Sequence, residues 1–207
     1  MGKKGLAYDP YNIIITGVGG QGNVLASRIL GNMLSLKGFI VTIGESFGAT
    51  QRGGSVMSHI RVSTKRSFSP LIPRGRAHLV VSLEPTEGIR VLKDYGNPDV
   101  VMLCNTRPIH PVGVIAGDLD YPPIEQIKQW ADELTARAWF IDATDRAMEM
   151  GSPILGNVMM IGALCGIEVL PVGRDEFEKV ISQGMKPEKV GMNLNAFDTG
   201  IEMILPR

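Results

Sequence analysis

Tyr11-Asn12-Ile13-Ile14-Ile15-Thr16-Gly17-Val18-Gly19-Gly20-Gln21-Gly22 is the stretch whose reading decides the fold of this chain. A β-branched apolar run enters a G-x-G-x-x-G turn. A helical pattern follows at once, with Leu25, Ile29, Met33 and Leu36 at helical spacing and Gly38 as the stop. Such a strand–turn–helix unit brings backbone close to phosphate: amides at the helix start point outward, and the helix dipole favours an anion there. Gly17 permits a tight turn, Gly19 leaves no Cβ between backbone and ligand, and Gly22 lets the helix pack close to its strand. The plainer alternative is a structural βα turn whose glycines serve φ and packing alone.

Outward from this unit, strand and helix patterns alternate. The sequence predicts strands over residues 11–16, 39–43, 55–62, 78–83, 99–104 and 138–141. It predicts helices from 21 to about 37, from 84 to about 93 and over 124–134, the last burying Ile127, Trp130 and Ala131. From Asp142 onward the chain turns helical. Residues 155–164 are too apolar all round for a surface helix, whereas 175–182 and 187–203 are amphipathic. Apolar strands alternating with helices imply a three-layer α/β/α, Rossmann-like fold: a mostly parallel sheet, helices on both faces and a helical C-terminal part. No linker or repeat divides residues 1–207, so one domain is expected, with its core over about 11–204. The ligand crevice belongs beyond the carboxyl ends of the strands.

Composition narrows the function. The chain has 207 residues, 44% hydrophobic and 20% charged, with a formal net charge of zero. Nothing in that balance argues for nucleic acid or an anionic membrane as partner. No apolar run approaches the roughly 20 residues of a membrane span, and no apolar segment follows Met1-Gly2-Lys3-Lys4, so a cytoplasmic protein without a signal peptide is expected. The two cysteines, Cys104 and Cys165, sit in apolar contexts and read as buried free thiols. An iron–sulfur cluster usually takes four cysteine ligands. His59, His78 and His110 are scattered, none at metal-ligand spacing, so no metal site is expected.

The candidate site residues gather around the glycine turn. Glu45 stands 23 residues after Gly22, near the spacing at which a dinucleotide fold offers a carboxylate to a ribose hydroxyl. A free-standing NAD- or FAD-binding dehydrogenase is therefore one reading. Gln51-Arg52-Gly53-Gly54 sets a guanidinium beside two flexible glycines, as in an anion nest or an interface turn. Asn157 is a polar residue in an apolar helix and needs a hydrogen-bond partner, since burial without one costs about 1–3 kcal/mol. Asp142 and Asp145 flank Thr144 at a helix start and read as caps. No nucleophile–base pair, Walker A loop or serine elbow occurs, and no residue is assigned as catalytic. Such a chain binds, positions or covers a site rather than performing chemistry alone. A ligand-free Rossmann-like interaction module is a third reading.

Taken together, Gly17-Val18-Gly19-Gly20-Gln21-Gly22, Glu45-Ser46-Phe47-Gly48, Gln51-Arg52-Gly53-Gly54 and Gly156-Asn157-Val158-Met159-Met160-Ile161-Gly162-Ala163-Leu164 resemble the γ-subunit, or γ-domain, of the 2-oxoacid:ferredoxin oxidoreductases. The likeness runs from about Tyr11 to Ile204 and is strongest toward the indolepyruvate:ferredoxin branch. It implies a subunit of an enzyme that converts a 2-oxoacid, coenzyme A and oxidised ferredoxin to acyl-CoA, carbon dioxide and reduced ferredoxin. It further implies that thiamine diphosphate, its magnesium and the iron–sulfur clusters are held by partner subunits, with ferredoxin served indirectly. Gly17, Gly19, Gly20, Gln21, Gly22, Glu45, Arg52, Gly53, Gly54 and Asn157 are then the residues expected to complete the composite site and to contact CoA. Neither the 2-oxoacid nor a homodimer is specified by these motifs.

Overall fold

β1 (Tyr11–Val18) is buried along its whole length and lies inside a six-stranded sheet of order β2-β3-β1-β4-β5-β6. The computed structural model describes residues 5–48 and 54–205. The other strands are β2 (Ile40–Phe47), β3 (Ser55–Ser63), β4 (Leu79–Ser82), β5 (Val101–Asn105) and β6 (Arg137–Ile141). β1, β4, β5 and β6 run parallel, while β3 is antiparallel to both β1 and β2. The sheet is thus mostly parallel, as the alternating pattern predicts. The exception has a local cause. β2 and β3 are joined by a hairpin-length connection, which can only return antiparallel. The Gly48 amide donates to the Ser55 carbonyl (2.7 Å) to close that ladder.

The pleat sends alternate residues of β1 to opposite layers. Ile13 and Ile15 join one core with α1 (Asn23–Leu36), α6 (Leu155–Gly166), α7 (Arg174–Ser182) and α8 (Pro187–Glu202). Ile14 joins the other, with α2 (Pro85–Tyr95) and α4 (Ile124–Leu134). The architecture is therefore three layers, α/β/α. Two short helices, α3 (Val112–Ile115) and α5 (Ala143–Glu149), sit in the connections after β5 and β6. α6 is buried from Leu155 to Cys165, as its uniform hydrophobicity requires. It meets α8 backbone to backbone: a Cβ at Gly162 would run into the Phe197 carbonyl, and one at Gly200 into the Met159 carbonyl.

Some boundaries and faces differ from the sequence reading. β1 continues to Val18, so Gly17 is a strand residue and not part of the turn. β2 continues to Phe47, which puts Glu45 inside the strand rather than at its carboxyl end. On α4, Ile127 and Ala131 are buried but Trp130 is 37% exposed. Asp142 occupies the N-cap position of α5 without making a side-chain cap, while Asp145 pairs with Arg107 at 2.7 Å.

Two histidines are built into the half of the sheet around β3. His59 is 1% exposed and its Nδ1 accepts the Ile72 amide at 3.3 Å. His78 Nδ1 accepts the Asn12 amide at 2.9 Å, and its ring stacks on Tyr8 at 4.2 Å. Burial holds both below the ordinary imidazole range; at His78 the Arg76 charge adds to this, with Asp99 opposing. The unfolded chain therefore takes up these protons first as pH falls through about 6.5. Their stability contribution is complete above that pH and is lost on descent toward the depressed folded values. The urea midpoint is expected to be lower at pH 5.5 than at pH 7.5, and the double substitution His59→Phe, His78→Phe is expected to shrink that difference. An equal difference in the double variant would contradict the assignment.

Candidate functional site at the carboxyl edge of the sheet

The glycine turn is held mostly by its own chain. The Val18 amide donates to Gln21 Oε1 (2.7 Å), the Gln21 amide to the Val18 carbonyl (3.1 Å) and the Gly19 amide to the Gly54 carbonyl (2.8 Å). Gln21 Nε2 donates to the Leu83 carbonyl (2.9 Å) and so ties the turn to the end of β4. Three amides expected to face an anion are thus already engaged. The long polar side chain at Gln21 is the cause: it folds back over the strand end instead of pointing away.

The glycines are required, but for reasons that differ from the sequence expectation. A Cβ at Gly17 would meet Gln21 Oε1 at 2.5 Å, Asn23 Oδ1 at 2.9 Å and Leu83 Cβ at 3.0 Å. Gly17 is therefore a packing residue. Gly20 and Gly22 carry φ of +102° and +86°, the left-handed region that L side chains rarely adopt. Gly22 also packs against α6 rather than its own strand, because a Cβ there would collide with Asn157 Nδ2. The partner required by Asn157 is the Gln21 carbonyl (Nδ2···O 2.6 Å). Asn23 Oδ1 is buried without a hydrogen-bond partner among the described residues.

Gly17 to Gly22, Gly54 and Asn157 are thus brought together at one edge. Arg52 and Gly53, with Gln51, lie outside the described residues. Glu45 is not brought there. It pairs with Ser58, which pairs with Ile15, so β3 stands between Glu45 and β1. Two strand spacings put its backbone roughly 10 Å from β1 and level with the middle of that strand. The ribose carboxylate expected of a dinucleotide fold needs β2 beside β1, and the inserted strand removes that adjacency.

Residues that the sequence reading passed over build the rest of the site. Beside the turn lies a cleft of about 550 Å³. Its floor carries Leu83 and Asn105; Arg107, Ile109 and His110 form one wall, and Ile154 and Asn157 the other. Asn105 fixes its position by donating to the Leu83 carbonyl (3.0 Å) and Thr144 Oγ1 (2.9 Å) and accepting from the Thr144 amide (3.2 Å). The mouth is apolar: Ile115 is 74% exposed and Ile154 68%. The wall formed by residues 105–123 is anchored by Glu84. Its carboxylate is fully buried and caps α2, accepting the Glu87 amide (2.9 Å) and Thr86 Oγ1 (2.7 Å) on one oxygen. The other oxygen accepts the Tyr121 hydroxyl and the Ile109 amide (3.4 Å). Burial, reinforced by Glu84, pushes the Tyr121 phenol far up, so it stays a donor. The motif Glu84-Pro85-Thr86-Glu87 signals a cap with proline at the first helical position, but nothing local announces its hold on residues 105–123.

Among the described residues no group of three or more His, Cys, Asp and Glu is placed to hold a metal, and no helix is long and apolar enough to cross a membrane. The arrangement offers a partly apolar cleft with a few oriented polar groups at the crevice where open α/β sheets bind ligands. It offers no nucleophile beside a base.

An oxidoreductase fold of defined lineage accounts for this edge, and residues 12–203 match the pyruvate ferredoxin/flavodoxin oxidoreductase family. The chain belongs to that family. It is 36% identical over 193 residues to the indolepyruvate oxidoreductase subunit IorB of Pyrococcus horikoshii, covering 93% of this chain and 95% of that one. It is also 36% identical to IorB of Archaeoglobus fulgidus, covering 91% and 92%. The pyruvate oxidoreductase subunit PORC of Thermotoga maritima shares the fold with a TM-score of 0.69 at 21% identity, over 94% of this chain and 97% of that one. The 2-oxoglutarate:ferredoxin oxidoreductase of Magnetococcus marinus shares it with a TM-score of 0.73 at 21% identity, over 95% of this chain but 31% of that longer one.

The two left-handed glycines separate strain from packing. Gly20→Ala has open space for its Cβ and is expected to cost about 1 kcal/mol. Gly22→Ala adds the collision with Asn157 and is expected to cost about 2–4 kcal/mol. Urea denaturation of both variants checks the order; equal losses would show that Asn157 does not press on the turn.

Proposed function

We propose that this chain is the cluster-free subunit of a thiamine-diphosphate-dependent 2-oxoacid:ferredoxin oxidoreductase, and that its cleft completes an active site whose reactive groups come from partner subunits. The supporting observation is family membership over residues 12–203 in a chain whose sulfur ligands are kept apart. Cys104, on β5, lies in the core beneath α2 and α4, and Cys165, on α6, lies in the core shared with α1, on the opposite side of the sheet. Burial pushes both thiols up, Cys165 to about 12. A cluster takes thiolate ligands, usually four. The residues of this chain do not fit one. Thiamine diphosphate is held through a magnesium ion that needs oxygen ligands, and no such donor set is gathered among the described residues. In this reading both groups belong to the partner subunits. The names of the IorB relatives favour an aryl 2-oxoacid as substrate.

What this chain does is bind and shield. The cleft beside Gly20, Gln21 and Asn157 accepts part of coenzyme A, a co-substrate found in the Magnetococcus marinus structure. Leu83, Ile109, Ile115 and Ile154 give it an apolar lining, and Arg107 and His110 offer polar contacts at one wall. The amides of the turn that are engaged internally leave the phosphates of CoA to Arg107 and to the helix start. That internal engagement is also the observation that favours a second reading, a docking module that touches no ligand.

Co-expression with a thiamine- and cluster-bearing large subunit of the same family tests the assignment. The isolated chain is expected to carry no iron or thiamine and to leave a 2-oxoacid unchanged, while the complex reduces ferredoxin. Turnover by the isolated chain would overturn the assignment. Arg107→Ala is expected to raise the KM for CoA several-fold in the complex while iron and thiamine contents stay constant. An unchanged KM would leave the docking-module reading in its place.

A further inference from the structure

The charges of this neutral chain are unevenly distributed. From Ser46 to Leu83 there is no Asp or Glu, yet the stretch holds six cations: Arg52, Arg61, Lys65, Arg66, Arg74 and Arg76. Five of them are among the described residues and collect on a strap, residues 61–76, that leaves β3 and crosses back to β4. Lys65, Arg66, Arg74 and Arg76 are exposed, and none of the five is in an ion pair among the described residues. Elsewhere, four of the six exposed arginines among the described residues, Arg90, Arg107, Arg146 and Arg174, each pair with a carboxylate within 3.1 Å, while Arg28 and Arg137 do not.

The strap is built to hold its shape. Arg61 donates to the Ser69 and Leu71 carbonyls (3.0 and 3.4 Å) and to Asn12 Oδ1 (3.1 Å). Asn12 Nδ2 donates in turn to the Arg76 carbonyl (2.8 Å), which gathers both limbs of the strap at the amino end of β1. Ile72 is buried and its amide donates to His59. Asn97 Nδ2 donates to the Gly75 and Ala77 carbonyls (3.3 and 2.6 Å). The guanidinium groups of Arg61 and Arg66 lie over the Phe68 ring, at 5.0 and 4.9 Å from its centroid. Like charges held this close repel, and a fixed display of unpaired cations costs stability that a partner's anions recover.

We propose that this basic strap, at the amino edge of the sheet and opposite the cleft, is a docking surface for an acidic face on a partner subunit of the oxidoreductase. The inference rests on the assignment under Proposed function and adds a second contact to it. A protein surface fits better than the other anions. Lys65, Arg66, Arg74 and Arg76 stand exposed along the strap rather than enclosed around a free phosphate. Phe68 already carries the guanidinium groups of Arg61 and Arg66 over its ring, where a base would have to stack. A two-fold dimer about the strap would set cation against cation. Preordering by Arg61, Asn12 and Asn97 lowers the entropy lost on docking.

The co-expressed complex carries the test. The triple substitution Arg66→Glu, Arg74→Glu, Arg76→Glu is expected to raise the dissociation constant of this chain from its partner subunits about tenfold or more at 50 mM NaCl. Arg→Gln at the same three positions is expected to raise it less. The wild-type complex is expected to weaken from 50 to 500 mM NaCl, and the charge-reversed one to lose most of that salt dependence. Unchanged thermal midpoints of the isolated variants show that the strap still folds. Wild-type affinity and salt response in the charge-reversed complex would overturn the docking surface while leaving the subunit assignment intact. A wild-type chain that never assembles would overturn both. Binding of a 20-base-pair DNA duplex that is tighter than partner binding, and lost in the charge-reversed chain, would reassign the strap to nucleic acid.

Discussion

The site depends on one hydrogen bond between segments 136 residues apart, from Asn157 Nδ2 to the Gln21 carbonyl. Asn157 is 9% exposed on an otherwise apolar helix, so its amide must be satisfied, and the turn after β1 supplies the acceptor. Gly22 must then lack a side chain, because Asn157 fills the volume a Cβ would take. The same turn is fixed to β4 through Gln21 and Leu83. One helix from the C-terminal half thereby sets the distance between the first βα turn and the wall of the cleft.

This constraint changes what the glycine turn is for. Its amides are spent largely on Gln21, Val18 and Gly54, and its glycines on packing and φ. The open surface moves sideways, to the cleft walled by residues 105–123 and the start of α6. Glu84 is central there: a buried carboxylate that caps α2 also holds Ile109 and Tyr121 in place. A cleft made this way has rigid walls, an apolar mouth and few charges, which suits a segment of a cofactor-sized molecule or of another protein better than a bare anion.

Much of the fold was legible because its signals are local. β-branched runs, a glycine turn and helical spacing led to six strands and three layers, and the all-apolar stretch 155–164 became the buried helix α6. The insertion of β3 beside β1 was not legible, since strand order is a property of pairing across the sheet. That insertion is what separates Glu45 from the turn, so a spacing that suits a dinucleotide fold carried no such meaning here. Trp130 is exposed for a similar reason: periodicity gives a helix face, but not how far the neighbouring layer extends over it. Asn157 was legible as a residue in need of a partner, and the partner's identity was not. Asn105, Arg107 and Glu84 were passed over because no short motif carries their role; each acts through a contact made across 25 residues or more.

The central claim is that the carboxyl-edge cleft faces a partner subunit that brings the chemistry. Amide hydrogen exchange of this chain, alone and within the purified oxidoreductase complex, tests it most directly. The account predicts slower exchange on assembly at residues 105–119 and 152–157, the two walls of the cleft. Unchanged exchange at both walls in a fully assembled, active complex would contradict it.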